Sequence, residues 1–292
     1  RDNALAYKYT SFCIKYRAFA QSLKRSMRQV HIAGKKLFVD YSGNGVPLID
    51  ASTGEITTAQ IFVATLGASN YTYACATLRQ TTADWIGAQV RALEFFGGVV
   101  RLIVPDQTRS LIKYPDTYDP EPNRTYEEFA EHYGCAVLAA RPGHPRDKPK
   151  VEGSVLIVQR WILARLRNRR FFSLAEINRA ISELLVDLNQ RAFKKLPGCR
   201  ASAFKELDFP ALKPLPATRF EIRRRKSANA DIDYHARVAA HPYSVPHRLV
   251  GTTVELRVTG TLVEAFQANQ RVASHTLSHE RGRHTTLAEH MP

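Results

Sequence analysis

Apolar positions in the first third of the chain recur at strand spacing. Residues 36–41, Lys-Leu-Phe-Val-Asp-Tyr, form a short β-type run ended by the turn-forming Ser42-Gly-Asn-Gly45. Residues 46–50 lead to a second turn at Ser52-Thr-Gly54, and 57–66 and 71–78 read as two further strands around Gly67-Ala-Ser-Asn70. Short strands in series at this spacing predict an antiparallel meander. The period then changes. Within 82–96, Trp85, Ile86, Val90 and Leu93 fall on one side of a helix closed by Gly97-Gly98. Residues 99–104 are a near-continuous apolar run of strand length that ends at Pro105-Asp106. Thr125-Tyr-Glu-Glu128 has capping-box spacing and opens a short helix to about Tyr133, and 135–140 reads as a fifth strand. Three prolines and a glycine keep 141–150 out of regular structure. A long helix over about 150–166 follows, with Val151, Val155, Val158 and Ile162 at offsets 0, 4, 7 and 11 as one buried stripe. Ser173-Leu-Ala-Glu176 is a second capping box, opening a helix to about Gln190.

This alternation predicts an α/β domain with a mixed sheet over 31–192. Residues 1–30 are a basic helical lead-in, with Lys8, Lys15, Arg17, Lys24, Arg25 and Arg28 against Asp2 alone. Leu196-Pro-Gly198 and Pro210, Pro214 and Pro216 mark a Pro-rich linker at 193–217. The texture then becomes short and alternating, with strands expected at 220–225, 232–238, 243–245, 253–258, 262–266 and 271–275. That density over 218–278 predicts a small all-β barrel, followed by a basic tail at 279–292.

Charge sharpens the picture. The 292 residues carry 42 Lys and Arg against 27 Asp and Glu, a formal charge of +15, which favours a polyanionic partner such as nucleic acid. A hydrophobic fraction of 44 % excludes a chain disordered throughout. The cysteines at 13, 75, 135 and 199 form no Cys-x-x-Cys pair, which argues against a zinc ribbon or a disulfide scaffold and for a reducing, cytoplasmic compartment. The longest uncharged run, 56–78, is too polar for a membrane span, so no membrane partner is expected. The chain starts Arg-Asp-Asn without a signal-peptide pattern and reads as a fragment of something longer.

Three acids stand out by position. Asp40 lies near the end of the first strand, Asp106 just past the apolar strand, and Glu152 in the first turn of the long helix. Ligand sites in open α/β sheets form outside the carboxyl ends of strands, so neighbouring first and later strands would bring Asp40 and Asp106 face to face, with Glu152 supplied by a helix packed alongside. Oxygen ligands of this kind suit Mg2+ or Mn2+, and two such ions support in-line phosphoryl displacement. The stretch 141–170 holds nine bases and two acids around this point. Lys148 and Lys150, with Arg141, His144, Arg146 and Arg160, are the candidate DNA contacts there, and Arg223, Arg224, Arg225 and Lys226 form a second basic group. Asp50, Asp84, Asp116 and Glu94 sit in turn, helix-face or loop settings that favour structural roles.

The blocks Phe38-Val-Asp-Tyr-Ser-Gly43, Val104-Pro-Asp-Gln107, Tyr133-Gly-Cys-Ala136, Ala140-Arg-Pro-Gly-His-Pro-Arg-Asp-Lys148 and Lys150-Val-Glu152 resemble the catalytic blocks of insertion-sequence family 21 transposases, the IstA type, within the transposase and retroviral-integrase superfamily. Pro242-Tyr-Ser-Val-Pro246 and Arg281-Gly-Arg-His-Thr-Thr286 resemble that family's C-terminal region. The likeness runs over about 30–290, with Gln107 where the family carries Asn. It implies an RNase H-like catalytic domain with Asp40, Asp106 and Glu152 as its acidic triad and two Mg2+ (or Mn2+) ions during catalysis. It also implies transposon-end and target DNA as substrates, homo-oligomeric assembly on paired ends and an AAA+ helper ATPase. Two other readings stand beside it: a hydrolytic RNase H-like nuclease of the resolvase kind, and a non-catalytic DNA-binding regulator.

Overall fold

The computed structural model describes residues 8–22, 30–105, 111–114, 121–138, 149–194, 196–239, 241–278, 280 and 283–292. The chain falls into two compact units, Arg1–His31 and Ile32–Pro292. In the first, helix α1 (Tyr9–Ser22) stacks Phe12 on Tyr16, one turn apart, with ring centroids separated by 6.0 Å.

The second unit is built on a mixed sheet. Strand β1 (Lys36–Tyr41) runs antiparallel to β3 (Ile56–Leu66), from Leu37 opposite Leu66 to Tyr41 opposite Phe62. Strand β2 (Val46–Ile49) is also antiparallel to β3, from Val46 opposite Ala59 to Ile49 opposite Ile56. The expected turn at 42–45 therefore does not reverse the chain. It interrupts one long strand, and β1 and β2 continue in the same direction along β3. Two contacts explain this: the Ser42 N–H donates to Ile61 O at 2.8 Å, and Gly45 lies so close to β3 that a Cβ there would stand 2.4 Å from Ala59 O. Strand β4 (Thr72–Thr77) takes the other edge of β3.

Beyond β1 the pairing becomes parallel: β5 (Leu102–Val104) lies beside β1, and β8 (Ala136–Val137) beside β5. Between them β6 (Ile112–Tyr114) and β7 (Glu121–Pro122) form a small separate ladder. Three antiparallel strands followed by two parallel ones make the mixed sheet of the RNase H-like fold. The apolar run at 99–104 is split, since Val99 exchanges backbone hydrogen bonds with Lys213 and only its second half joins the main sheet.

Strand alternation sends side chains to two cores. Leu37, Val39 and Tyr41 of β1 and Phe62, Ala64 and Leu66 of β3 pack against helix α2 (Thr82–Phe96) and helix α3 (Arg124–Tyr133). Ile61 and Val63 of β3 pack on the opposite face against helix α4 (Pro149–Val158) and helix α5 (Leu174–Gln190). Helix α4 continues through a π turn (Gln159–Leu163) into Ala164–Leu166, so the expected helix to 166 carries a local widening. Helix α3 is capped by Asn123, whose side chain accepts from Tyr126 N at 2.9 Å, two residues before the expected Thr125.

The segment at 193–217 is not a loose connector. Helix α6 (Arg200–Ala203) runs into Phe204–Asp208, Phe204 stacks on Tyr71 at 4.4 Å, and the 1 % exposed Asp208 accepts from Gly34 N and Ser69 N, both at 2.8 Å. Phe220 also stays with this core, edge-on to Phe129 at 5.7 Å, and the strand expected from 220 begins at β9 (Arg224–Asn229) instead. Burying the aromatic ring outweighs local strand propensity there.

Five more short strands follow: β10 (His235–Val238), β11 (His241–Ser244), β12 (Thr253–Val258), β13 (Leu262–Gln267) and β14 (Gln270–Thr276). Among the described residues the ladder does not close into a barrel. A four-stranded antiparallel sheet, ordered β14-β13-β12-β9, is accompanied by a β10–β11 hairpin with its own pairing. Hairpin and sheet share one apolar core of Ala236, Val245, Val254, Leu256, Ala265 and Ala273.

Candidate active site

Asp40 is the fifth residue of β1 and is half-buried. Leu37, Val39 and Tyr41 point into the α2 core, so alternation puts Asp40 on the opposite face with Phe38. On that face Phe38 and Val104 are buried together, with Leu102 and Val155 packed against them. Three elements meet in this small cluster: β1, β5 and α4. The register sets Phe38 opposite Val104. In sequence Asp40 follows Phe38 by two residues, Asp106 follows Val104 by two, and Glu152 precedes Val155 by three, close to one helical turn.

Further contacts hold the strand end in place. One Asp40 oxygen accepts from the N–H of its neighbour Tyr41 at 2.8 Å. The Tyr41 ring meets Trp85 and Phe62 edge-on at 4.7 and 5.6 Å, and its hydroxyl shares a 3.0 Å hydrogen bond with Thr77. Burial pushes the Tyr41 hydroxyl well above its ordinary pKa, so it stays protonated as a structural group. On the α4 side, Gln159 Nε2 donates to Oγ of the buried Ser42 at 2.9 Å. This bond joins the π turn that continues α4, two turns past Glu152, to the residue just after β1. Helical spacing aligns Gln159 with Glu152, but nothing in the local sequence marked Ser42 as its partner.

Of the other predicted site residues, Asp106, Arg141, His144, Arg146 and Lys148 lie outside the described residues, as does Asp116. Lys150 and Glu152 fall in the first turns of α4, with side chains outside the description. Among the described residues no three His, Cys, Asp or Glu side chains are grouped so as to hold a metal ion. Asp50 and Asp84 have structural roles: Asp50 accepts from Ser52 and Thr53, which lowers its pKa to about 2, and Asp84 completes a capping box with Thr81.

The second basic group divides. Arg223, Arg224 and Lys226 are exposed, with Lys226 Nζ donating to Arg237 O at 3.3 Å. Arg225 instead turns inward, pairing with Glu128 of α3 and with Glu255 of β12 at 2.8 Å. Arg124 and Arg257 extend this network at 3.6 and 2.6 Å. Arg225 thus ties the β-rich region to α3, and its charge is already balanced by carboxylates.

The two C-terminal blocks meet each other. Thr285 N donates to Pro242 O and Ser244 N to Thr285 O, while Thr285 Oγ1 and Thr286 Oγ1 hydrogen-bond His241 Nε2 and His235 Nε2 at 2.8 and 2.9 Å. The Thr-Thr pair therefore stitches the tail to the β10–β11 hairpin.

Residues 215–287, which contain this region, match the family described as Mu transposase, C-terminal domain. The chain is 54 % identical over 98 % of its length to a putative transposase for insertion sequence IS408 from Burkholderia multivorans, covering 55 % of that protein. It is 28 % identical over 78 % of its length to the transposase for insertion sequence element IS21 from Pseudomonas aeruginosa, covering 58 % of it. A magnesium complex of the HTLV-2 integrase catalytic core domain is similar at a TM-score of 0.43 and 14 % identity, over 60 % of this chain and 99 % of that one. The chain spans about half the length of the curated relatives it matches. The chain is thus similar over nearly its whole length to insertion-sequence transposases, and over residues 215–287 to the Mu transposase C-terminal domain.

Proposed function

We propose that this chain is the catalytic portion of a metal-dependent DNA transposase, in which Asp40, Asp106 and Glu152 form the acidic triad. The observation that carries the reading is the Phe38–Val104–Val155 cluster, since each of its members lies within one strand repeat or about one helical turn of one of the three acids. The fit to a metal is chemical: the donor set is three carboxylates, the hard oxygen ligands that Mg2+ and Mn2+ prefer. Two such ions, when bound, activate the attacking oxygen and stabilise the leaving one.

The protein's own residues supply position and charge. Crowded carboxylates repel one another unless cations offset them, which makes the triad a cation site and not a general base. The Ser42–Gln159 bond and the Tyr41 ring cluster hold the strand end that carries Asp40. Lys148, Lys150, Arg160, Arg223, Arg224 and Lys226 neutralise backbone phosphates and align DNA without reading its sequence. In the first step water attacks the phosphodiester at the transposon end, forming a new P–O bond and releasing the 3′-hydroxyl. That hydroxyl then attacks a target phosphodiester, and the target's own 3′-oxygen leaves. No protein–DNA covalent bond is required. Residues 31–192 serve as the catalytic domain and 218–278 as a DNA-binding module, and assembly on paired ends with an AAA+ helper ATPase completes the proposal.

Asp40→Asn tests it, because the change removes charge with little change of shape. Joining of labelled 3′ ends should be lost while end binding is retained. Undiminished joining overturns the reading, and cleavage without any joining by the unaltered protein points to a hydrolytic nuclease.

A further inference from the structure

We infer that a concave cationic site between the end of α4 and the end of α5 is a second contact for the DNA sugar–phosphate backbone, distinct from the triad. The inference rests on the DNA-handling reading above. The cavity, of about 390 Å³, is lined by four cations, Arg160, Arg191, Lys194 and Arg200, and by no acid. It lies roughly two turns along α4 from Glu152.

Three observations make this more than a solvated basic face. First, two of the lining cations, Arg191 and Arg200, are held in place. The Arg191 guanidinium sits 4.0 Å from the centre of the Trp161 ring, Arg165 sits at the same distance, and Arg200 Nη1 donates to Leu188 O at 3.3 Å. Second, the nearby carboxylate is already used: Asp187 pairs with Arg165 at 2.6 Å, and among the described residues none of the four lining cations is paired with an acid. Third, the charges oppose one another. Burial, and then the neighbouring Arg191 charge, pull the Arg200 pKa below its ordinary value. Like charges fixed together without a counter-charge carry an electrostatic cost that a bound anion removes.

The shape selects the anion. Ile157 and Leu188 give the site an apolar floor, which suits a polymer of alternating sugars and phosphates better than a fully hydrated small ion. Arg165 and Arg191 both lie over the Trp161 ring, in the place a stacked base would take. Recognition here is therefore of backbone charge and not of bases.

The test is equilibrium binding of a fluorescent duplex to the full chain in EDTA across a salt series. Binding is read without catalysis, so the outcome does not depend on the triad. Arg191→Gln combined with Lys194→Gln alters two exposed lining cations that the proposed function does not use. The slope of log K against log salt should become shallower by about 0.9 for each phosphate that is no longer neutralised. Ala192→Glu, which places an acid in the cavity, should weaken binding at low salt. Unchanged slope in the double variant, with melting unchanged and the parent binding normally, overturns the cavity assignment alone. A parent chain with no DNA affinity overturns both this inference and the reading beneath it.

Discussion

The carboxylate of Asp208 accepts a hydrogen bond from the backbone N–H of Gly34 at 2.8 Å, across a sequence separation of 174 residues. Its second oxygen accepts from Ser69 N, so one buried side chain clamps the segment entering β1 and the β3–β4 turn. Gly34 has φ +64°, and a Cβ there would stand 2.3 Å from Ala211 O. The Pro-rich stretch is in this way a brace for the strand that carries Asp40. Asp208→Ala leaves two buried donors unsatisfied, each costing about 1–3 kcal/mol. The denaturant midpoint should fall with the slope unchanged, and Asp208→Asn should lie between the two. A midpoint equal to the parent's for Asp208→Ala would refute the brace.

Gly45→Ala should separate the β1–β2 strand from β3, since the new methyl group would meet Ala59 O and Thr58 Cγ2, each at 2.4 Å. Overpacking of this kind costs about 1–3 kcal/mol. Gly43→Ala is the control: nothing lies within 4 Å of a Cβ there, and its stability should stay close to the parent's. The two variants, two residues apart, are compared by thermal melting. Equal effects would rule out the close approach as the reason for a glycine at 45.

Gln159→Ala removes the bond to Ser42 that couples α4 to the end of β1. Its effect on stability should be about 1 kcal/mol, whereas the joining rate should fall on the order of tenfold, because catalysis is sensitive to small misplacements. The informative comparison is rate against affinity. A loss of DNA binding that accounts for the whole rate change would assign Gln159 to the DNA surface instead.

The C-terminal stitch is sensitive to acid. His275 donates from Nε2 to Ser244 O at 2.7 Å, its Nδ1 is buried with no hydrogen-bond partner, and His290 Nδ1 meets Ser244 Oγ at 2.8 Å. Burial lowers both pKa values below the ordinary 6.5. The unfolded chain therefore binds these protons before the folded one does. The corresponding stability is fully present above pH 6.5 and is lost as pH falls through the lower folded-state values. Melting temperature should drop between about pH 7.5 and 5.5, and His275→Gln should flatten that dependence. A parent profile that is level over this range would contradict it.

Much of the α/β region was legible from pattern. The period change after residue 78, the Trp85–Leu93 stripe and the Ser173 cap each correspond to the element found, because each is a local choice reinforced by burial. Errors fell where distant partners decide. The Ser42–Gly45 stretch has turn composition, yet β3 keeps the chain extended across it. Phe220 has strand character, yet it is drawn onto Phe129. Arg225 stands in a basic run and differs from its neighbours only because Glu128 and Glu255 face it.

The sequence by itself determined the element types, the division of texture near 218, the charge available for nucleic acid and, through ordered blocks, a resemblance to insertion-sequence transposases that points to the acids at 40, 106 and 152. Only the tertiary structure decided that β1 lies parallel to β5 with Phe38 opposite Val104 and Val155 packed on both. It likewise decided that Asp208 braces Gly34, and that four cations with no lining acid share one cavity. The physical reason is range. Periodicity and capping act within a turn or a strand repeat, whereas register, close backbone approach and charge pairing depend on residues that meet only when the chain is folded.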